Sequence, residues 1–215
     1  NQFIAFVENS KGEFLTADQW FNKYRKNNSK RIGIWIDLSI GTPNLDKLNN
    51  NLAKLGITDV FLMARDHEGH SYHENNSASE KTNIFNAIYQ KLRESNVRIH
   101  AWLPMLRNPA TAQIRTDWAM KKFNTQSSIE WLSPDHPEVI AYLNHSVAEL
   151  LKRYQLDGIH LDYVRYPDIH HGFSEEGVKQ FAVQRPDVTE DHSKLLSDHY
   201  SDWHTWKTHV IADLV

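Results

Sequence analysis

Cysteine is absent from the 215 residues, which removes disulfides, thiolate metal sites and cysteine nucleophiles together. The absence leaves the compartment open, since cysteine-free chains suit oxidising and reducing spaces alike. No apolar run approaches the ~20 residues needed to cross a bilayer, so no membrane span is expected. An excess of charge of one sign is missing too: 24 Lys and Arg face 27 Asp and Glu, a formal net charge of −3. Without a basic field for neutralising phosphates, a nucleic-acid partner is not expected. What is present is 40% hydrophobic and 24% charged residues, the make-up of a globular domain able to bury a core. Seven Trp and eight Tyr exceed what such a core needs, and these rings serve either as packing or as platforms for sugars.

Four short apolar or β-branched runs, at 32–39, 57–64, 97–104 and 156–164, read as strands. Helical spacing lies between them. Leu45, Leu48, Leu52 and Leu55 stop at Gly56, a C-cap signal directly before the second run. Ile84, Ile88 and Leu92 form a second helix. After Pro137, the residues Val139, Ile140, Leu143, Val147, Leu150, Leu151 and Tyr154 trace one apolar face. Asp135 and Glu138 stand before it in capping-box spacing. Residues 1–31 read as a lead-in with a helix near 17–24, and 167–189 as a loop with some helical content. A last stripe, Trp203, Trp206, Val210 and Leu214, predicts a helix that needs a partner surface.

Strict alternation of strand and helix predicts right-handed βαβ units and a parallel sheet. Side-chain parity separates a barrel from an open sheet. Ile32, Ile34 and Ile36 share one face of the first strand, and Gly33, Trp35 and Asp37 the other. In the second run Phe61, Met63 and Arg65 oppose Val60, Leu62 and Ala64. In the third Arg98, His100 and Trp102 oppose Ile99, Ala101 and Leu103, and in the fourth His160 and Asp162 oppose Ile159, Leu161 and Tyr163. One face of every strand is aliphatic, and the other carries ionisable or aromatic groups. An open parallel sheet covers both faces with helices and would bury those charges at a cost. The expected fold is therefore α/β of the (β/α)8 TIM-barrel type. Only the first four βα units fit in 32–215, whereas a complete barrel takes ~250 residues, so a C-terminal half or a second chain is expected to complete it.

Active sites of such barrels stand at the C-terminal ends of the strands, and Asp162 is the principal catalytic candidate there. The stretch from Asp157 to Pro167, with Gly158, Ile159, His160, Leu161, Asp162, Tyr163, Val164, Arg165 and Tyr166 between, resembles the fourth-strand motif of the bacterial glycosyl-hydrolase-like TIM-barrel family. That family is similar to the hydrolase domain of the poly-N-acetylglucosamine export protein. Trp131 to Val139 resembles the family's lead into the same unit, His100-Ala101-Trp102 its third strand, and Arg65 with Tyr72, more loosely, its second strand and loop. The resemblance covers about residues 30–215 and is tight over about 131–167. It implies a carbohydrate substrate, an exported or cell-envelope location and Asp162 as principal acid.

Glycoside hydrolysis normally uses two carboxyl groups. Asp37 is the in-chain candidate for the second, and the rival reading pairs it with Arg65. His100 and His160 either donate to substrate or belong to the barrel core, while Trp102, Tyr163 and Tyr166 either stack on sugar or pack. Arg165 either contacts substrate or pairs with a nearby acid. Loss of the second carboxylate would leave a non-catalytic carbohydrate-binding or scaffold domain. An open-sheet α/β binding protein is a third reading. No cofactor is implied. His67, His70 and His73, with His170 and His171, invite a metal, but their spacing in loops is not a recognised ligand set, and no native metal site is expected.

Overall fold

The structure is a computed structural model that describes residues 31–73, 80–123, 130–188 and 192–215. The lead-in expected over 1–31, including its helix near 17–24, lies outside the described residues apart from Arg31. Four strands, β1 (Gly33–Ile36), β2 (Asp59–Met63), β3 (Arg98–Pro104) and β4 (Gly158–Asp162), form one parallel sheet in sequence order. Between them run α1 (Leu45–Lys54), α2 (Glu80–Arg93), the short α3 (Pro109–Ile114) and α4 (Pro137–Arg153). After β4 come α5 (Glu175–Gln184), α6 (His192–Ser197) and α7 (Tyr200–Leu214).

The aliphatic parity meets the helices. Val60, Leu62, Ile99, Ala101 and Leu103 are buried against Leu48, Leu52, Phe85, Ile88, Leu143 and Leu150 in the main core. Helix α1 starts at Asn44, whose side chain accepts from Lys47 N–H, and Gly56 at φ +66 turns the chain toward β2. Leu55, expected on the buried stripe, is instead 66% exposed, because it is the capping residue where the helix has already begun to turn.

The cap of α4 also differs from the capping-box expectation. His136, not Asp135, is the N-cap, its ring Nδ1 accepting from Glu138 N–H. Asp135 is buried and accepts from the hydroxyls of Ser133 and Ser174. That engagement moves the cap one residue along and ties the α4 entry to the loop after β4.

The other parity forms an inner face in layers. Asp59 and Arg98 stand at the bottom, Trp35, Phe61 and His100 above them, then Met63, Trp102 and His160, with Asp162 at the top. Three gaps of about 4.8 Å would hold β1 and β4 about 14 Å apart in a flat sheet. Yet the Trp35 and His160 rings lie 5.9 Å apart and Phe61 and His160 5.3 Å. The sheet is therefore concave on this face. The arrangement is α/β of the (β/α)8-barrel type with four βα units, and the open-sheet reading is set aside.

A second core joins Phe173, Val178, Phe181, Leu195, Trp203 and Trp206 under α5, α6 and α7. Helix α7 bridges the two cores, since Leu214 at its far end belongs to the main one. The partner surfaces its stripe requires are thus the segment after β4 and, at Leu214, the main core.

Candidate active site

Asp162 closes β4 at the C-terminal edge of the sheet, opposite Pro104 in register. Its Oδ2 accepts from Trp102 Nε1 at 2.9 Å, and its Oδ1 from the backbone N–H of Tyr163 at 2.8 Å. The carboxylate is oriented by both donors, and each oxygen keeps acceptor capacity for a substrate. Tyr163 follows at φ +54, a left-handed conformation that costs a non-glycine residue about 1–2 kcal/mol. The Tyr163 ring lies 5.6 Å from that of Trp131. The Arg165 guanidinium lies over both rings, 5.3 Å from that of Trp131 and 5.7 Å from that of Tyr163. Arg165 is exposed, and donates to the carbonyls of Tyr166 and Pro167, not to an acid.

Asp37 follows β1 on the same edge, partly buried, and its Oδ1 accepts from the backbone N–H and hydroxyl of Ser39. The expected ion pair with Arg65 does not form. Arg65 is 1% exposed, reaches the Ser146 hydroxyl and the Pro104 carbonyl, and lies over the Tyr142 ring. Its guanidinium thus packs under α4, away from the inner-face edge that parity assigned it. The cause is local: β2 ends at Met63, and Arg65 enters an antiparallel bridge with Ser71, so strand alternation no longer governs its direction.

Tyr72 is buried, its hydroxyl 3.5 Å from Asp66. Burial, aided by the nearby charges of Asp66 and Asp37, pushes its phenol up to about 12. Burial also pushes the Asp66 carboxyl up, but His70 and Lys81 outweigh it and hold Asp66 below the usual range. His100 is taken up within the inner face, its Nε2 2.9 Å from Asp59 in the bottom layer and its ring stacked on Phe61. A side chain at Gly158 would meet His100 Nδ1 at 2.5 Å, which accounts for the glycine that opens β4. His160 sets its ring against Trp35 and Phe61 of the layer below. Tyr166 turns away from Asp162: its hydroxyl is buried, burial pushes it up, and its ring covers Gly172 and Lys207.

Of the expected site residues the structure therefore gathers Asp162, Trp102, Tyr163 and Arg165 at one place. Asp37 and Tyr72 stand near one another at the β1–β2 end of the edge, and Arg65, His100 and Tyr166 are engaged elsewhere. Sequence reasoning missed two residues here. Trp131 is 6% exposed and was legible only as part of the lead-in motif. His67, weighed only as a metal ligand, sets its ring against Trp102 and Tyr163. The neighbouring histidines point elsewhere, His70 to Asp66 and His73 to the Ala64 carbonyl. Among the described residues no three His, Asp or Glu side chains converge as a metal site requires. A cavity of about 330 Å³ adjoins Arg165, between the loop after β4 and the Lys207 face of α7.

Solved structures share this fold. The PgaB (BpsB) glycoside hydrolase domain from Bordetella bronchiseptica matches over 86% of this chain and 62% of its own, at a TM-score of 0.60 and 19% identity. Alpha-L-fucosidase isoenzyme 2 from Paenibacillus thiaminolyticus matches over 85% and 31%, at 0.59 and 14%. A hypothetical protein from Ruminiclostridium thermocellum ATCC 27405 matches over 67% and 86%, at 0.52 and 19%. The chain thus spans less than two thirds of the first two. No curated protein sequence matches.

The fold is that of a partial (β/α)8-type barrel, a parallel sheet with a carboxylate ending its fourth strand. The family described as "Putative glycosyl hydrolase domain" (DUF4015) matches residues 60–208, and the chain belongs to that family.

Proposed function

We propose that this protein is a glycoside hydrolase acting on a polysaccharide or oligosaccharide, with Asp162 as its principal catalytic carboxylate. The observation that carries the reading is the Asp162 carboxylate, fixed by Trp102 and the Tyr163 N–H at the C-terminal edge of a concave parallel sheet. In this reading Asp162 acts as nucleophile or as general acid and base at the anomeric centre. Asp37 is the in-chain second carboxylate. Tyr163 and Arg165 offer a sugar-binding surface backed by the buried Trp131 ring, and Tyr72 supports the Asp37 end. The exported or cell-envelope location implied by the resemblance belongs to the same proposal.

Barrel closure needs strands beyond β1 and β4, supplied by further chain or by a second one. Two features support this: Trp35 on the inner face is 53% exposed, and every β4 residue is only half-buried.

Asp162→Asn tests the mechanism, because the amide keeps the shape and an acceptor for Trp102. Release of reducing sugar should fall by about 10²-fold or more, while sugar binding persists. Asp37→Asn should fall comparably if Asp37 is the partner. Unchanged turnover in Asp162→Asn would overturn the assignment. Binding without turnover in the unaltered protein would instead favour a non-catalytic carbohydrate-binding domain.

A further inference from the structure

His67 stands in the loop after β2 with its ring edge-on to Trp102, centroids 5.5 Å apart at 72°, and to Tyr163, 5.3 Å apart at 63°. These two residues supply the two hydrogen bonds that orient Asp162. The imidazole is thus packed against the same pair that holds the carboxylate, although it comes from a different βα unit.

Its Nδ1 is buried and has no hydrogen-bond partner among the described residues. A histidine's tautomer is normally set by what its other nitrogen binds. Other described histidines are fixed in this way: His70 by Asp66, His73 by the Ala64 carbonyl, His100 by Asp59 and His171 by Asp168. With Nδ1 unpartnered, the half-buried His67 ring is free to present Nε2 either as a donor or as an acceptor. A buried polar atom left without a partner is costly and calls for an explanation.

From this we infer that His67 is a substrate-contacting residue of the Asp162 site, its imidazole hydrogen-bonding a hydroxyl of the sugar unit bound against that carboxylate. A sugar hydroxyl both donates and accepts, so a ring able to do either matches it. Trp102 and Tyr163 hold the ring in place by aromatic packing. The inference rests on the hydrolase reading for the kind of ligand, but not on Asp162 being the nucleophile.

The test uses the full-length protein, a panel of 4-methylumbelliferyl glycosides, and the variants His67→Phe and His67→Asn. Phenylalanine keeps the edge-on packing and removes both nitrogens. Asparagine restores a donor and an acceptor. His67→Phe should lose about tenfold or more in kcat/KM with an unchanged thermal midpoint, and His67→Asn should recover part of that loss. A His67→Phe protein within twofold of the unaltered one overturns the inference and leaves the role of Asp162 standing. If the unaltered protein binds the glycosides without hydrolysing them, the hydrolase reading fails. Weaker binding by His67→Phe then still supports the contact, and equal binding overturns it. Neither binding nor turnover across the panel overturns both.

Discussion

Asp162 depends on its neighbours for direction. Trp102 Nε1 is the one side-chain donor on the carboxylate among the described residues, and a hydrogen bond to a charged group contributes about 1.5–3 kcal/mol. Trp102→Phe keeps most of the buried ring and deletes that donor. Its kcat should fall roughly tenfold or more, more than its KM changes, and steady-state kinetics with a folded-state check by circular dichroism would measure it. The candidate carboxylate was legible in the sequence, because parity and the strand's end were enough to place Asp162. The direction of Arg65 was not. Parity holds only while the chain stays in a strand, and Arg65 lies beyond the end of β2, where the Ser71 bridge turns it under α4. His67 was equally hidden, because a loop residue has no periodicity to read.

At the scale of the strands, Asp59 ties the bottom of the sheet together. It accepts from Arg31, Arg98, Thr58 and His100, joining β2 and β3 to the chain two residues before β1. The Arg98 guanidinium, working against burial and helped by Arg31, Thr58 and His100, holds its carboxyl well below the usual range. A depressed carboxyl contributes stability that is present above its unfolded pKa, ~3.9, and is lost as pH falls through the folded value. Denaturant titrations should therefore show stability declining below about pH 4, and Asp59→Asn should flatten that limb. At pH 7 the substitution should cost about 2 kcal/mol. That is less than the ~3–5 of a fully buried pair, because the Arg31 and Arg98 side chains are each 42% exposed. In a barrel of this type the N-terminal end of the strands serves stability.

The two cores meet at Lys207, and the molecule's alkaline behaviour belongs to that contact. Lys207 is buried, donates to the His171 and Ile169 carbonyls, and faces the rings of Tyr166, Phe173 and Trp203. Burial lowers its ammonium to about 8, with Asp168 opposing. Between that value and the unfolded ~10.4, the unfolded chain holds a proton that the native one has released, so stability rises with pH across the window. Unfolding midpoints compared at pH 7.5 and 9.5 should show this rise, and Lys207→Met should remove it.

The sequence by itself determined the alternation of strands and helices, the aliphatic and polar parities, and the carboxylate at the end of β4. Each follows from local periodicity and strand geometry, which short stretches of chain already carry. Only the tertiary structure decided that the sheet is concave enough to bring the rings of Trp35 and His160 together. It alone sends Arg65 and His100 away from the edge and His67 onto it. Those outcomes depend on twist, on loop direction and on which residues from distant units arrive at the same place, and no stretch read alone contains its partners.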